Sequence, residues 1–158
     1  MPAHASAATL TGMSPITDVL DDRLRRVFGA PTSSAAEIAQ RAREEFPESP
    51  VIVWEGDPQT FRFSFVSPEA ETLLGHRLER WTSEPTFWAD VVVHARDRDD
   101  AIAYCALATG KCANHVFEYR AITADGRELW LRDYVQVVLG ARGLPVTLRG
   151  LMFDVTKE

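Results

Sequence analysis

The sequence predicts an α+β domain with one five-stranded antiparallel sheet, short helices on one face of that sheet, and a helical extension in front of it. Two β-rich runs, within residues 51–67, come first. Short helical patterns then occupy residues 67–110, and three further β-rich runs follow from residue 115 onwards. Because strands and helices are segregated along the chain, the pattern is typical of an antiparallel sheet rather than of alternating βαβ units.

Two amphipathic helices are predicted before the first strand. The first begins at the N-cap Ser14 and ends at Gly29, and the second begins with a capping box formed by Ser34 and Glu37 and ends at Pro47. The apolar face of the first helix includes Val19, Leu20, Val27 and Phe28. We therefore divide the chain into a disordered N-terminus (1–13), a helical extension (14–49) and a sheet-containing domain (50–158).

The first two strands, "VIVWEG" and "TFRFSFVS", are separated by a turn at Asp57 and predict a hairpin. Ser67 is expected to cap a short helix that ends at Gly75. A further helix is predicted from about Glu84 to Val93.

The stretch "HARDRDDAIAY" places His94 close to three aspartates, a combination that suits either an acid–base or metal site or a helix start. An apolar helical pattern follows these aspartates and ends at Gly110. We therefore predict that Asp97 is the N-cap, and that Asp99 and Asp100 lie in the first turn, where the helix dipole favours carboxylates. No metal is needed to explain them.

The last third of the chain reads as three strands. "HVFEYRAIT" and "RELWLRDYVQVVL" flank a turn at Asp125 and Gly126, and "PVTLRGLMFDV" follows. Alternation along the middle strand separates two sets of side chains. Leu129, Leu131, Val135 and Val137 form the aliphatic set, and Trp130, Arg132, Tyr134 and Gln136 form the opposite one.

Composition limits the classes of partner. The 158 residues carry 17 basic and 23 acidic side chains, a net charge of −6, and no Lys/Arg-rich run that would suit nucleic acid. No apolar run is long enough to span a bilayer, and the N-terminus has no basic, apolar secretory pattern. Two cysteines make no disulfide framework, so we expect a cytoplasmic protein.

Four segments, in order, resemble a PAS domain whose C-terminal half carries a PAC motif: "FVSPEAETLLGH", "FWADVVVHARDR", "FEYRAITADGRELWLR" and "LRGLMFDVT". The family's His-Pro-Asp-Asp-Arg-like segment is altered here, because Ala95 and Arg96 replace the proline and the first aspartate. The resemblance covers residues 51–158. It implies a five-stranded antiparallel sheet whose helices enclose a cavity against one face, and a sensory role in signal transduction.

The resemblance leaves the cofactor open. The haem-binding members of the family use a histidine in the helix that here spans about 98–109, and this segment has none. The covalent flavin photochemistry of light-oxygen-voltage members needs a cysteine before His94, and "EPTFWADVVVH" lacks one. Cys105, Cys112 and His115 make an incomplete zinc set, so no metal site is predicted.

Three groups of site residues are predicted. Any ligand pocket is expected to be lined by the aliphatic set named above together with Ile102, Leu107 and Gly150, since a glycine lets another group approach the strand backbone. A homodimer interface is expected to involve Trp130, Tyr134 and the apolar face of the first helix, covering the outer sheet face. By resemblance to the family's terminal Asp-x-Thr pattern, Asp154 and Thr156 are expected to relay the signal, with Arg132 or Arg149 as partner of Asp154.

These features predict a sensory or interaction module, not an enzyme, that binds a small ligand or a partner protein, forms a homodimer, and controls a downstream effector domain or partner. Whether it is standalone or the sensor of a larger protein stays open. One alternative is a small α+β cone enzyme of the ketosteroid-isomerase kind, for which Asp133 is the only candidate inward carboxylate. The other is a dimerisation module with a filled core and no ligand.

Overall fold

The computed structural model describes residues 22–158. The predictions that rest on residues 1–21, including the disordered N-terminus, the Ser14 cap, and the interface candidates Val19 and Leu20, lie outside the described residues. Within residues 22–158 no helix is long and apolar enough to cross a membrane.

The described residues form two N-terminal helices, two strands, four helical segments and three long strands. Residues 22–28 belong to the first helix, α1. The elements that follow are α2 (Ala35–Glu45), β1 (Val51–Gly56), β2 (Phe63–Val66), α3 (Glu69–Leu74), α4 (Leu78–Ser83), a π-helix (Trp88–Val92), α5 (Arg98–Gly110), β3 (His115–Ile122), β4 (Glu128–Leu139) and β5 (Pro145–Asp154).

The five strands form one antiparallel sheet in the order β2-β1-β5-β4-β3. The first and last strands of the chain are therefore neighbours in the middle of the sheet, where Val53 pairs with Leu151 and Trp54 with Gly150. This arrangement confirms the predicted α+β fold with its five-stranded antiparallel sheet.

The inner face of the sheet packs against α3, α4, the π-helix and α5. Leu131, Val135 and Val137 are buried there as predicted, and Leu129 packs at the margin of the same core. The side chains of β4 therefore alternate as the sequence predicts, with the aliphatic set facing the helices.

The outer face of the sheet is covered by the N-terminal helices. Val27 and Phe28 of α1 and Ile38 of α2 are buried in a second apolar cluster, which also contains Val53 and Leu151 of the sheet. The predicted placement of the helices on this face is correct. The capping box of α2 also forms, with Ser34 Oγ accepting from the Glu37 backbone and Glu37 Oε1 accepting from the Ser34 N–H at 2.8 Å.

Two predicted caps are wrong in their details. Ser67 does not cap α3; its hydroxyl accepts a hydrogen bond from the Val53 backbone at 2.8 Å and fixes the end of β2 to β1. Asp97 precedes α5 as predicted, but its side chain makes no cap bond and points to β3 instead. In both cases the side chain hydrogen-bonds to a strand that is distant in sequence and not to the backbone of the helix that follows it. The helix predicted over residues 84–93 is shorter and is a π-helix.

Candidate functional site

A buried hydrogen-bond chain crosses the inner core and centres on Asp133. Asp133 Oδ1 accepts from Trp54 Nε1 at 2.9 Å, and Oδ2 accepts from the Tyr119 hydroxyl at 2.9 Å. The Tyr119 hydroxyl in turn accepts from Trp88 Nε1 at 3.1 Å. The chain thus connects β1, β4, β3 and the π-helix through four side chains, each of which is buried.

Asp133 is 1% exposed, and both of its partners are neutral donors. Burial disfavours the ionised carboxyl more than the two hydrogen bonds favour it, so the pKa of Asp133 rises to about 7. The pKa of Tyr119 rises well above 10 because the ring is buried and the Asp133 carboxyl lies beside it. Asp133 is therefore the member of this hydrogen-bond chain that gains or loses its proton near neutral pH.

The sequence identifies Asp133 only weakly, as one polar residue at the inward parity of an aliphatic strand. The charged residues Glu118 of β3 and Arg132 of β4, by contrast, belong to the outer face of the sheet. Glu118 lies opposite Arg132 and forms an ion pair with it at 2.7 Å. The inward position of Asp133 is what the alternative enzyme requires, but the space beside its carboxyl is too small for a substrate.

That space is an interior cavity of about 10 Å³, enough for one water-sized group. Its lining consists of Trp54, Phe61, Phe63, Trp88, Cys105, Phe117, Asp133 and Leu148. Elsewhere on this face of the sheet, large side chains fill the core. The aliphatic residues that were predicted to line a pocket therefore contact other side chains and do not surround an open space.

Gly150 leaves room for another group, as predicted, and that group is the indole of Trp54. A Cβ atom at position 150 would lie 2.3 Å from Trp54 Nε1. The absence of a side chain on β5 therefore allows Trp54 to lie flat enough to reach Asp133.

A cleft of about 650 Å³ opens on the surface beside this core. Ile102, one of the predicted pocket residues, lines it from α5, together with Ala106 and Thr109. The other walls are Pro58, Gln59, Thr60 and Phe61 before β2, Pro85, Thr86, Trp88, Ala89 and Asp90 around the π-helix, and Leu144 and Pro145 before β5. Its volume is that of a typical small-molecule pocket.

Leu107 corrects the predicted pocket. It is 60% exposed and lies on the solvent side of α5, because the helix turns Ala101 and Cys105, rather than Leu107, towards the sheet. The periodicity of a mostly apolar helix does not distinguish these faces well.

Phe61 and Trp88 line both the cleft and the interior cavity. Phe61 has a positive φ of 60°, a conformation that non-glycine residues rarely adopt and that the surrounding fold must hold. These two rings thus separate the cleft from the interior cavity, and Trp88 is also the outermost member of the Asp133 hydrogen-bond chain.

Of the cysteines and histidines considered in the sequence as metal ligands, Cys105 and His115 lie side by side, and Cys112 and His94 lie at other places in the fold. Cys105 is buried, and its Sγ lies 3.4 Å from His115 Nε2, whereas Cys112 is exposed on the other side of the turn. His94 lies at the junction before α5, 3.3 Å from Glu128. Residues 22–158 contain no group of three or more histidine, cysteine, aspartate or glutamate side chains that could hold a metal ion.

The predicted relay residues form a local turn. Asp154 Oδ1 accepts from the Thr156 backbone at 3.0 Å, and Thr156 Oγ1 accepts from the Trp130 backbone at 3.0 Å. Neither arginine that was expected to bind Asp154 does so. Arg132 bonds to Glu118 and Glu158, while Arg149 bonds to Gln136.

Arg149 instead fixes the turn between α1 and α2. Its guanidinium donates to the backbone carbonyls of Ala30, Pro31 and Ser33 at 3.1 to 3.4 Å, and the residue is 3% exposed. Sequence reasoning missed this contact, since nothing local in the β5 sequence indicates a partner more than a hundred residues away.

The residues predicted to form a dimer interface, so far as they lie within the described residues, make contacts within this chain. Val27 and Phe28 are buried in the outer cluster, and Tyr134 packs against the Phe153 ring with centroids 5.6 Å apart. Trp130 is half-buried, with the Arg120 guanidinium 5.6 Å from its ring centroid.

Residues 63–152 match the family described as PAS fold. The chain belongs to the PAS family. It is also similar to the N-terminal domain of a diguanylate cyclase with PAS/PAC sensor from Marinobacter aquaeolei, at 33% identity over 67% of this chain and 95% of that one, with a TM-score of 0.61. Among curated protein sequences, none matches the chain significantly.

Two more distant structures share the PAS fold with this chain. A sensory box histidine kinase/response regulator from Burkholderia thailandensis is 21% identical, with a TM-score of 0.58 over 73% of this chain and 85% of that one. The Rhodobacter sphaeroides LOV protein is 14% identical, with a TM-score of 0.58 over 70% of this chain and 62% of that one.

Proposed function

We propose that this PAS domain senses a small ligand in the surface cleft between α5 and residues 58–61. One observation carries the proposal: Phe61 and Trp88 line both the cleft and the interior cavity. A molecule in the cleft therefore touches the two rings that separate it from the interior cavity, one of which, Trp88, belongs to the Asp133 hydrogen-bond chain, and its binding can shift their positions.

The hydrogen-bond chain gives the proposed sensor a route to the outer face. Trp88 contacts Tyr119, Tyr119 contacts Asp133, and Asp133 holds Trp54 of β1. The residue next to Trp54 is Val53, which packs in the outer cluster with the N-terminal helices. A displacement of Trp88 would thus alter, through β1, the packing of α1 and α2. We propose that these two helices contact a partner or effector.

Screening a panel of small fragments against the full chain tests the sensing proposal. We expect at least one fragment to raise the midpoint of thermal unfolding, with a shift that grows with the logarithm of its concentration above the dissociation constant, as binding to the native state requires. Ala106→Trp, which fills the cleft from α5, should abolish that shift. Ala103→Trp, on the exposed part of the same helix outside the cleft, is the matched control and should retain it.

Two results would contradict the proposal. One is a panel in which no fragment stabilises the protein. The other is a set of fragments that stabilise Ala106→Trp as well as they stabilise the unchanged chain, because they would then bind elsewhere.

A second candidate function is ligand-free homodimerisation, and the packed core favours it. The interior cavity has only about 10 Å³, and the Trp54 indole fills the space above Gly150. A module of this kind would act through its surfaces alone. Sedimentation at micromolar concentration should then show a dimer whether or not a fragment is bound.

A further inference from the structure

The interior cavity is an aromatic box that has Asp133 as its one charged lining residue, with both carboxyl oxygens hydrogen-bonded to Trp54 and Tyr119. Five of its lining residues are aromatic: Trp54, Phe61, Phe63, Trp88 and Phe117. The Trp54 and Phe63 rings stack with centroids 4.8 Å apart, and Phe63 and Trp88 lie 6.4 Å apart. Aromatic rings attract cations electrostatically, and most strongly where water is excluded.

The carboxylate has no counter-ion of its own. Both Asp133 oxygens accept from neutral donors, and no lysine or arginine among residues 22–158 bonds to either of them. A buried carboxylate with only neutral partners carries a desolvation cost that a bound cation would offset. The aromatic walls and the acid without a counter-ion thus both favour a positively charged ligand.

The interior cavity and the surface cleft differ in size, so they suit two different parts of one ligand. A cavity of about 10 Å³ admits one water-sized group, such as an ammonium head. The adjoining cleft of about 650 Å³ takes a larger body, and its lining is mostly apolar. The one charged residue of that lining is the acid Asp90, which pairs with the neighbouring Arg98 at 3.9 Å, so the lining itself carries no positive charge.

We propose that this site takes an amphipathic organic amine, with the ammonium head beside Asp133 and the apolar body in the cleft. The inference rests on the proposed sensing function and names its ligand class. Phe61 and Trp88, which form the wall between the two spaces, move aside to admit the head. Their displacement is then the event that the hydrogen-bond chain carries to β1.

The other titratable groups around the cavity do not compete for the cation. Cys105, which lines the cavity from α5, is neutral, since burial raises its pKa to about 12. Tyr119 from β3 is neutral because its pKa lies well above 10. His115, next to Cys105, has a pKa lowered by burial and is neutral above pH 7. Asp133 is thus the group that sets the charge of the box.

Calorimetric titration of the full chain with phenethylamine and with phenethyl alcohol, its neutral analogue, tests the proposal. At pH 8 we expect the amine to bind at least tenfold more tightly than the alcohol. Asp133→Asn should remove this preference, and cooperative thermal unfolding would show that the variant is folded. In the unchanged chain the preference should shrink about tenfold for each pH unit below the pKa of Asp133, which requires no variant.

The outcomes separate this inference from the sensing proposal. Equal affinities for amine and alcohol, both lost in Ala106→Trp, would overturn the amine proposal and leave a ligand-sensing cleft. An amine that fails to bind, or that binds with a preference indifferent to pH and to Asp133→Asn, would also overturn it. The sensing proposal itself fails only if the whole fragment panel fails.

Discussion

At the scale of single residues, the core depends on Gly150 of β5 and Asp133 of β4, which lie on the same face of two adjacent strands. Gly150 gives the Trp54 indole its position, and that indole donates to Asp133. The sequence shows both residues as exceptions to an aliphatic pattern, one without a side chain and one charged. It cannot show that they serve the same indole, because that contact joins strands about a hundred residues apart.

Gly150→Ala should destabilise the fold by about 2–3 kcal/mol, since the new methyl group would overlap Trp54 and force the indole to move. Gly110→Ala is the matched control, because a Cβ there meets nothing within 4 Å and alanine suits a helix better. Urea denaturation of both variants measures the difference. Equal stabilities would mean that Trp54 relocates without loss.

The raised pKa of Asp133 makes stability depend on pH. Between pH 4 and 7 the unfolded chain releases this proton while the folded chain keeps it, so the contribution of Asp133 falls as pH rises. The loss is about 1.4 kcal/mol per pH unit. The unfolding free energy of the unchanged chain minus that of Asp133→Asn should therefore fall as pH rises through this window. Parallel pH profiles would contradict a neutral buried carboxyl.

At the scale of elements, the start of α5 shows that a local sequence signal can predict where a helix begins but not which group its capping residue binds. Asp97 is 1% exposed and accepts from the Arg120 backbone at 2.8 Å and from its guanidinium at 2.7 and 3.0 Å. Burial alone would raise the pKa of Asp97, but the bonds from Arg120 outweigh it, and that pKa is lowered. The aspartate therefore ties α5 to β3.

Asp97→Ala should cost about 3 kcal/mol, because it breaks a largely buried pair and leaves the Arg120 backbone N–H without its acceptor. Asp99→Ala, an exposed first-turn control, should cost about 0.3–1 kcal/mol through the helix dipole alone. Denaturation at pH 7 compares them. The Asp97 contribution should also disappear on acidification through its lowered pKa, since protonation removes the charge that Arg120 binds.

The elements themselves were largely predictable, because periodicity and turn residues are local. The five strands, the two N-terminal helices and the parity of β4 all follow from such patterns. Local signals failed where a long-range partner decides the outcome, as for Ser67 and Arg149. The candidate site was less predictable, since the cleft is made by three loops whose approach no periodicity encodes, and only Ile102 was anticipated in its lining.

At the scale of the whole molecule, the two faces of the sheet belong to two apolar clusters. The inner cluster adjoins the proposed ligand cleft, and the outer one holds the N-terminal helices. The sheet is thus a single layer between an input side and a side that we propose for output. The helices cover apolar sheet residues such as Val53 and Leu151, which would otherwise face solvent.

A chain that begins at Pro50 should self-associate more strongly than the full chain. Removal of α1 and α2 uncovers the outer cluster, and an exposed apolar patch of this kind promotes association. It also leaves Arg149 without the carbonyls of residues 30, 31 and 33. Sedimentation velocity over a concentration series measures the effect. A truncated chain as soluble as the full one, and in the same oligomeric state, would show that the helices do not shield this face.

The pairing of β1 with β5 also fixes the order in which the molecule can be assembled. The surface on which α1 and α2 dock takes Val51 and Val53 from β1, near the beginning of the sheet, and Leu151 from its final strand. During synthesis the N-terminal helices emerge first but have no complete docking surface until β5 has been made. Contacts of such long sequence separation form slowly and leave apolar segments exposed meanwhile. The nascent chain is therefore most vulnerable to aggregation through the helices and strand that are translated earliest.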